Sequence, residues 1–436
     1  MKPVKIGLLG LGTVGQGTWS VLNRNAAEIT RRAGRAIEVK SAAIRDMVKA
    51  QSHGFADLEL TVEPEQIVND PEIDVVVELM GGYEPARALV LQAINNGKHV
   101  VTANKALIAL HGNEIFDAAQ QKGVMVAFEA AVAGGIPIIK AIREGLSGNR
   151  IQWLSGIING TGNFILTEMR DKGRDFADVL AEAQELGYAE ADPTFDIDGT
   201  DAAHKLTILA SIAFGIPLQF DKVFKEGIDV VSREDVEYAE ELGYRIKHLG
   251  IAAQADNGVQ LRVHPTLIPE SRLIANVNGV MNAVLVNSDA VGSTLYYGAG
   301  AGSEPTASAV VADTIDVVRT LTADPGNRVP HLAFQADALS DQPVMEISEI
   351  ESSYYLRLMA DDRAGVMADV TRILGDLNIS IEAILQKDPR SADGSVPVIM
   401  LTHRVHEGRI DTAIEQITQL KSINNDIVRL RVESLA

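Results

Sequence analysis

A glycine-rich loop near the amino terminus lies between a buried strand and the start of a helix. Residues 5–9 are almost entirely apolar, and the loop that follows runs Gly10-Leu11-Gly12-Thr13-Val14-Gly15. Glycines at this spacing permit a tight turn, a close approach of the backbone to a pyrophosphate, and close packing of helix against strand. The helix N-terminus then faces the anion. The loop therefore predicts a dinucleotide site made by Gly10, Gly12, Thr13, Val14 and Gly15.

The first third of the chain alternates between short apolar runs and helical patterns. The sequence predicts strands at residues 5–9, 37–44, 73–80, 99–102 and 124–128, and helices at 13–25 and 85–95. Strands that alternate with helices at this spacing are joined by right-handed crossovers. We therefore predict an α/β fold with a Rossmann-like, doubly wound parallel sheet.

After residue 137 the pattern changes to longer helices and alternating strands, which predicts an α+β domain. The glycine-rich run 298–302 leads into a helix near 303–305, where the chain could return to the first domain. A self-contained βαββαβ unit of the ferredoxin-like kind follows, with strands at 354–359, 379–385, 396–402 and 427–432. The predicted domains are 1–135 plus 300–325 for the dinucleotide, 136–299 for substrate and catalysis, a connector at 326–350, and 351–436.

Composition and charge exclude several classes of function. The chain of 436 residues has a net charge of -20 and no basic block, which argues against nucleic acid or an anionic membrane as partner. No apolar run approaches the roughly 20 residues of a membrane span, so we expect a cytoplasmic protein. The absence of cysteine excludes disulfides, zinc–thiolate sites and a thioester mechanism. If an aldehyde is the substrate, it is reduced directly.

Two lysines and a segment rich in acids indicate the chemistry. Lys105 directly follows the predicted strand 99–102, at the end of a strand where ligands of open α/β sheets bind. Lys205 closes a segment that holds five carboxylates, Glu190, Asp192, Asp196, Asp198 and Asp201. Acids at this density are suited to receive a substrate ammonium, and Asp201 and Lys205 share one helix face. We predict hydride transfer to a carbonyl of a small zwitterion, with lysine ammonium groups stabilising the developing alkoxide.

The residues that follow the second predicted strand bear on cofactor choice. Asp46 could bind the ribose hydroxyls of NAD, and Arg45 could bind the 2′-phosphate of NADP. Because both residues are present, the sequence favours NADP and leaves NAD open.

Several longer motifs are Asn104-Lys105, Glu129-Ala-Ala-Val132-Ala-Gly134-Gly-Ile136-Pro137, Gly156-Ile-Ile-Asn159-Gly160-Thr161-Gly162-Asn163-Phe164 and the segment 190–205. With these motifs, residues 1 to about 330 resemble the homoserine dehydrogenase family. The resemblance implies reversible reduction of L-aspartate 4-semialdehyde to L-homoserine with NADPH or NADH, in threonine, methionine and isoleucine biosynthesis. It also implies the monofunctional form, without a kinase segment before Met1, and a homodimer or homotetramer.

The same resemblance implies roles for individual residues. Lys205 is similar to the catalytic proton donor, and Lys105 to a second lysine near substrate and nicotinamide. Four residues are similar to the substrate site: Glu190, Gly187, Asp196 and Asp201. Gly302 is similar to a glycine that contacts the cofactor. A sodium or potassium site is implied at Glu129, Val132, Gly134 and Ile136.

The run Asp361-Asp362-Arg363-Ala364-Gly365-Val366 resembles an ACT regulatory domain. This resemblance implies an amino-acid effector, with L-threonine expected, near Asp362, Gly365 and Ser380, where a helix N-terminus can hold a carboxylate. Two other interpretations stay open at this point. One is a different NAD(P)-dependent oxidoreductase of amino or imino acids, and the other is a non-catalytic amino-acid sensor.

Overall fold

The computed structural model describes residues 2–47, 55, 58–386, 395–424 and 427–435. The strands in this part of the chain are β1 (Val4–Leu9), β2 (Ile37–Ala43), β3 (Glu59–Thr61), β4 (Val75–Glu78), β5 (His99–Thr102), β6 (Val126–Ala127), β7 (Ile151–Ile157), β8 (Phe224–Lys225), β9 (Tyr244–Ala255), β10 (Gly258–Pro269), β11 (Met281–Ser288), β12 (Gly292–Ala299), β13 (Glu351–Asp361), β14 (Ile381–Gln386), β15 (Ser395–Thr402), β16 (Val405–His406) and β17 (Val428–Val432).

The α-helices in the same residues are α1 (Thr13–Arg24), α2 (Ala26–Ala33), α3 (Pro64–Asn69), α4 (Ala86–Asn95), α5 (Lys105–Lys122), α6 (Ile138–Lys140), α7 (Gly160–Lys172), α8 (Phe176–Glu185), α9 (Thr194–Ile197), α10 (Thr200–Phe214), α11 (Arg233–Glu241), α12 (Ser303–Thr320), α13 (Val366–Asp376) and α14 (Glu407–Thr418). Contacts group the chain into two units. The first is Met1–Ile158, Ala203–Lys222 and Met281–Gln342, and the second is Asn159–Ala202, Val223–Val280 and Pro343–Ala436. The domain boundaries expected from the sequence stay predictions.

The first unit contains a parallel sheet in the order β3-β2-β1-β4-β5-β6. Its central strands β1 and β4 are buried on both faces, as their almost continuous apolar sequences require. The strand order is that of a doubly wound fold, and the chain reverses direction across the sheet between β1 and β4. The predicted Rossmann-like fold is confirmed. Helices α2, α3 and α5 and strand β3 were not predicted.

Helix α12 returns the chain to this sheet, as the glycine-rich run before it predicts. Its buried residues share one core with α1 and the sheet. A Cβ atom at Gly17 of α1 would lie 2.6 Å from the backbone oxygen of Ser303, so glycine permits the close approach of the two helices. The side chain of Arg24 also pairs with Glu304. A separate antiparallel set, β7-β11-β12, belongs to the same unit.

In the second unit, a long hairpin of β9 and β10 continues into the sheet of the C-terminal region. Strand β10 pairs with β9 along its length and with β17 in parallel. The C-terminal strands follow in the order β17-β13-β15-β14, all antiparallel, with α13 and α14 between them in the sequence. This is the predicted ferredoxin-like βαββαβ order.

The C-terminal region is not self-contained, which corrects the expectation from the sequence. Because side chains alternate along a strand, neighbouring residues of β13 face opposite sides. Tyr354 packs in a core with α13 and α14, whereas Tyr355 packs in a core with α7, α8 and α11. Both tyrosines are fully buried. The sheet is therefore covered on both faces, and one of those faces is covered by helices that precede residue 242.

Candidate active site

The carboxyl ends of the parallel strands bring the predicted cofactor residues to one edge of the sheet in the first unit. Gly10 follows β1, Arg45 follows β2, Lys105 follows β5 and Glu129 follows β6. Parallel strands end at the same edge, so these residues share that edge. Arg45 is exposed there.

The glycine loop has the geometry that dinucleotide binding requires. Gly10 has a φ of 107°, and a Cβ there would lie 2.9 Å from Leu79 O. A Cβ at Gly15 would lie 2.3 Å from Gly10 O, so this position also excludes a side chain. Around Gly12 no atom lies within 4 Å of where a Cβ would be, so its backbone is open to a close approach. The residues present therefore fit a bound pyrophosphate.

A second helix N-terminus meets the glycine loop. Gly302 precedes α12 and has a φ of 126°. The hydroxyl of the next residue, Ser303, donates to Thr13 O at 2.8 Å. Thr13 and Val14 form the first turn of α1. The structure thus places Gly302 beside the loop, and the two helix N-termini together favour an anion.

Lys105 is the first residue of α5, and a capped turn fixes where its side chain starts. Asn104 accepts from Leu107 N–H at 3.0 Å as N-cap, and its amide donates to Gly82 O at 2.7 Å. Asn104 is buried and Lys105 is half-buried. The backbone of this turn is therefore fixed on two sides by hydrogen bonds.

Lys205 lies in the second turn of α10 and is half-buried. Its Nζ atom donates to Ile158 O at 2.7 Å, at the end of β7. His204, which is buried next to it, stacks on Phe220 with ring centroids 4.5 Å apart. The stacking and the burial indicate a structural role for His204. The expected pairing of Lys205 with Asp201 stays a prediction.

In the second unit, Asn159 holds two of the predicted substrate acids. Its amide nitrogen donates to Asp196 at 2.7 Å and to Asp201 at 2.8 Å. Its amide oxygen accepts from Gly162 N–H at 2.7 Å and so caps α7. Asn159 is only 5% exposed, and all three of its bonds are internal to the second unit. Asn159 was not predicted to have a role, although its N-cap position before Gly160 was a signal for one.

The acid loop, residues 187–198, is fixed to α7 by further side chains. Thr161 donates to Tyr188 O at 2.7 Å, and the Tyr188 ring packs edge-on against Phe164. Gly187, with a φ of 73°, makes the turn that ends α8. Glu190 projects from this loop and is exposed.

Two acids of the segment are bonded within the protein. Asp192 accepts from the hydroxyl and the N–H of Thr194, which lowers the pKa of its carboxyl. Burial would raise the pKa of Asp198, but hydrogen bonds from Thr200 and Lys225 outweigh it and the pKa is lowered. Both acids are therefore carboxylates with local partners, and neither is one of the predicted site acids Glu190, Asp196 and Asp201.

The predicted cation segment is a buried loop of the first unit. The carboxylate of Glu129 accepts from Ile139 N–H at 2.9 Å and Lys140 N–H at 2.8 Å. Burial, reinforced by the nearby Asp313 carboxylate, raises the pKa of Glu129 to about 7. Ala133 and Gly134 both have positive φ, and a Cβ at Gly134 would lie 2.7 Å from Gly300 O. Because the carboxylate is bonded to backbone N–H groups, a cation here would rely on carbonyl oxygens of Glu129, Val132, Gly134 and Ile136.

The predicted effector residues lie in the second unit. Asp362, Gly365 and Ser380 are all exposed, and Gly365 is the N-cap of α13 with a φ of 99°. Ser380 O accepts from His403 N–H at 2.9 Å. No helix in the described ranges is long and apolar enough to cross a membrane.

A cavity of about 580 Å³ lies elsewhere in the first unit. Its walls include Gln120 and Gly123, at the carboxyl end of α5, together with His331 and Phe334. Lys105 is at the other end of this helix of 18 residues, and at about 1.5 Å per residue the two ends are about 27 Å apart. None of the predicted site residues lines this cavity.

Comparison with known proteins decides the family. Family models match residues 10–129 as the NAD binding domain of homoserine dehydrogenase, residues 137–315 as homoserine dehydrogenase, and residues 354–422 as an ACT domain. A homoserine dehydrogenase of Pseudomonas aeruginosa is 66% identical over 435 residues, covering 100% of both chains. The chain belongs to the homoserine dehydrogenase family. It is an NAD(P)-dependent oxidoreductase with a C-terminal ACT domain.

Other members of the homoserine dehydrogenase family agree in sequence and structure. That of Neisseria gonorrhoeae is 55% identical, with complete coverage of both chains. The crystal structure of a homoserine dehydrogenase from Thiobacillus denitrificans is 66% identical and superposes with a TM-score of 0.96, covering 100% of this chain and 99% of that one. A hyperthermophilic archaeal homoserine dehydrogenase in complex with NADPH is 27% identical, with a TM-score of 0.62, covering 72% of this chain and 98% of its own.

Proposed function

We propose that the protein reduces L-aspartate 4-semialdehyde to L-homoserine, reversibly, in the cytoplasmic synthesis of threonine, methionine and isoleucine. The observation that carries the proposal is the hydrogen bond from Lys205 Nζ to Ile158 O. This bond fixes the Lys205 ammonium at the end of β7. Lys205 closes the segment 190–205, where it is similar to the catalytic lysine of the family. A non-catalytic sensor would need neither this lysine nor the open backbone of Gly12.

The dinucleotide would be held by Gly10, Gly12, Thr13, Val14, Gly15 and Gly302, and when bound it would supply hydride to the aldehyde carbon. The N-termini of α1 and α12 would bind its pyrophosphate. The exposed guanidinium of Arg45 would pair with a 2′-phosphate, which favours NADPH over NADH. The archaeal relative with bound NADPH is consistent with that choice.

Lys205 is assigned the role of proton donor to the carbonyl oxygen. That oxygen becomes negative as the carbonyl is reduced, and an ammonium fixed nearby stabilises the charge where it develops. The proton then passes from Nζ to the oxygen, which gives the hydroxyl of homoserine. Lys105 is assigned the role of a second positive charge near the same oxygen and the nicotinamide. Its side chain starts from the turn that Asn104 caps.

Glu190 is assigned to the substrate ammonium, and Gly187 gives its loop the required turn. Asp196 and Asp201 support this side of the site through Asn159. An ammonium is present in substrate and product alike, so these acids would contribute binding throughout the reaction. Sodium or potassium at the carbonyls of Glu129, Val132, Gly134 and Ile136 would hold the loop before α6.

The ACT domain is assigned an amino-acid effector, L-threonine, near Asp362, Gly365 and Ser380. Within the second unit, the shared core gives this binding a physical route from the ACT domain to the helices of residues 160–241. Tyr355 and Arg357 of β13 both donate to the buried carboxylate of Asp235, at 2.9 and 2.6 Å, in α11. We propose that threonine shifts the equilibrium of a homodimer or homotetramer by a coupling free energy of about 1–3 kcal/mol.

One assay separates the proposed reaction from its rivals. NADPH oxidation is followed with L-aspartate 4-semialdehyde, with iminoaspartate and with neither. Turnover with the semialdehyde alone supports the proposal, turnover with iminoaspartate indicates an imino-acid reductase, and no turnover indicates a sensor. The same assay with added L-threonine, on unmodified protein and on Arg357→Met, tests the effector. Inhibition that Arg357→Met weakens supports the assignment, and an unmodified enzyme insensitive to threonine contradicts it.

A further inference from the structure

A single buried carboxylate joins the two loops that follow β4 and β5. Glu78 is the last residue of β4 and is 0% exposed. Its Oε1 atom accepts from Met80 N–H at 2.8 Å and from Gly81 N–H at 3.3 Å. Its Oε2 atom accepts from the Thr102 hydroxyl at 2.6 Å. The two oxygens are therefore divided between the loop after its own strand and the end of the neighbouring strand.

The chain of hydrogen bonds continues from Thr102 to the turn that carries Lys105. The Thr102 hydroxyl oxygen accepts from Asn104 N–H at 3.0 Å. Asn104 in turn caps α5 and donates to Gly82 O at 2.7 Å, which closes a ring of bonds back to the first loop. Every polar group in this ring sits at the carboxyl edge of the sheet, where the ligands of doubly wound folds bind.

Burying the Glu78 carboxyl at the end of β4 costs free energy, which indicates that this residue has a function there. Burial raises the pKa of the Glu78 carboxyl, and its hydrogen bonds from Thr102, Met80, Gly81 and the Asn104 side chain oppose that rise. A buried carboxylate is unfavourable unless such bonds satisfy it. An apolar residue would fill the end of β4 at less cost, but it would leave the 80–82 loop and the turn at Asn104 without a common anchor.

We propose that Glu78 is a positioning residue for the reaction, which fixes the Lys105 ammonium by holding the 80–82 loop and the Asn104 turn at one separation. This inference rests on the proposed function, because it assigns Glu78 a role through Lys105. A displacement of about 1 Å at a reacting group can cost about 10²-fold in rate. An anchor for the capped turn therefore acts on the chemical step, although Glu78 touches neither substrate nor cofactor.

The amino-terminal ends of the same two strands offer a matched control. Lys98, just before β5, is 4% exposed and donates to the backbone oxygens of Asp70 and Ile73, which precede β4. It joins the same two strands with a buried charged side chain, but at the edge of the sheet away from the ligand. Lys98→Met removes this anchor and should lower stability without altering the chemical step.

The experiment compares three variants: Glu78→Gln, Thr102→Val and Lys98→Met. Glutamine keeps the shape of Glu78, but only one of its two terminal atoms can accept a hydrogen bond. Valine replaces the Thr102 hydroxyl with a methyl group of similar size. We expect both to lower kcat about 10- to 100-fold, with less than a threefold change in KM. The kinetic isotope effect with 4-deuterated NADPH should rise toward its intrinsic value. The double variant should be no slower than the worse single one, because both remove one anchor.

A second measurement does not depend on turnover. Amide hydrogen exchange in peptides covering 79–84 and 103–108 should become faster in Glu78→Gln and Thr102→Val and stay unchanged in Lys98→Met. The inference is overturned if Glu78→Gln and Thr102→Val keep normal kcat and isotope effect, or if Lys98→Met slows the chemical step equally. Unmodified enzyme that does not reduce the semialdehyde would instead refute the proposed function, so the two failures are distinguishable.

Discussion

The two lysines and the acids of the acid loop are held by different kinds of structure. Lys105 and Lys205 stand in the helices α5 and α10, and the backbone of each helix fixes where the side chain starts. Glu190 stands in an irregular segment and Asp196 in the short helix α9, and side chains at the start of α7, Asn159 and Thr161, attach both parts of the acid loop to that helix. Glu190 is exposed, whereas both lysines are half-buried.

This difference matches what each group has to do. A lysine that stabilises a developing alkoxide must be in place before the charge appears, and only a preorganised group does this without reorganisation. An acid that binds a permanent ammonium acts equally in the ground state and the transition state. The lysines should therefore control kcat and the acid loop should control KM.

The largest effect is expected at Lys205. Lys205→Ala should lower kcat by on the order of 10²-fold or more, with little change in cofactor affinity, because its stabilisation is made mainly in the transition state. Steady-state kinetics and NADPH titration measure the two quantities. Lys122→Ala, at the far end of α5, serves as control. A Lys205→Ala enzyme with near-normal kcat would remove this lysine from the mechanism.

Glu190 is expected to affect binding instead. Glu190→Ala should raise KM for homoserine about 10- to 100-fold, the range of a lost charge-assisted hydrogen bond of about 1.5–3 kcal/mol, and leave kcat within a few fold. Glu185→Ala, an exposed acid at the end of α8, is the matched control. If KM is unchanged in Glu190→Ala, the ammonium is bound elsewhere and the comparison between lysines and acids fails.

A smaller effect is expected at Arg45, on the affinity for NADPH relative to NADH. Arg45→Ala should weaken NADPH by about tenfold and NADH much less, because only NADPH has the 2′-phosphate that a guanidinium can bind. Dissociation constants from nucleotide fluorescence test this. Equal weakening of the two cofactors would show that Arg45 does not select between them.

The last effect is on stability and not on turnover, and it concerns a third lysine, which has no part in the proposed reaction. Lys247 is 1% exposed and donates to Val277 O, Asn163 and Asn278 in the second unit. Burial, together with the charge of Arg170, lowers its pKa to about 7. The unfolded chain, with a lysine pKa of about 10.4, then binds more protons than the folded chain above pH 7.

Stability should therefore rise with pH from about 7 upward, by at most about 1.4 kcal/mol per pH unit. Lys247→Met has no proton to lose and should lack this rise. Thermal unfolding of both proteins at pH 7 and pH 9 measures the difference in Tm. The Tm of the unmodified protein should rise relative to that of Lys247→Met between pH 7 and pH 9. A difference in Tm that does not depend on pH would show that Lys247 is charged in the fold.

The parts of the molecule that the sequence predicted are those with strong local signals. The glycine loop, the buried strands and the βαββαβ order each follow from apolar periodicity and turn residues, and the structure places them within a few residues of the expected bounds. The roles of Lys105, Lys205 and Glu190 came from resemblance to a family. No local pattern could distinguish these residues from surface charges.

What the sequence missed depends on contacts between distant segments. Glu78 has a partner 24 residues away and Asn159 has partners 37 and 42 residues away, and local sequence patterns do not predict these contacts. The shared core of the C-terminal region was also missed. The alternation in β13 predicts a strand, but it does not show that Tyr355 on the second face meets helices of residues 160–241. Such contacts are set by packing, which one-dimensional periodicity does not record.

The most direct test of the division between lysines and acids uses an aldehyde without the amino group, succinate semialdehyde. The measured quantity is kcat/KM for this aldehyde and for L-aspartate 4-semialdehyde, in unmodified enzyme, Glu190→Ala and Lys205→Ala. We predict a preference for the amino aldehyde of about 10²-fold in the unmodified enzyme, from one charge-assisted bond to its ammonium. Glu190→Ala should abolish most of this preference, and Lys205→Ala should slow both aldehydes by the same factor. A preference that survives in Glu190→Ala, or one that disappears in Lys205→Ala, would contradict the account.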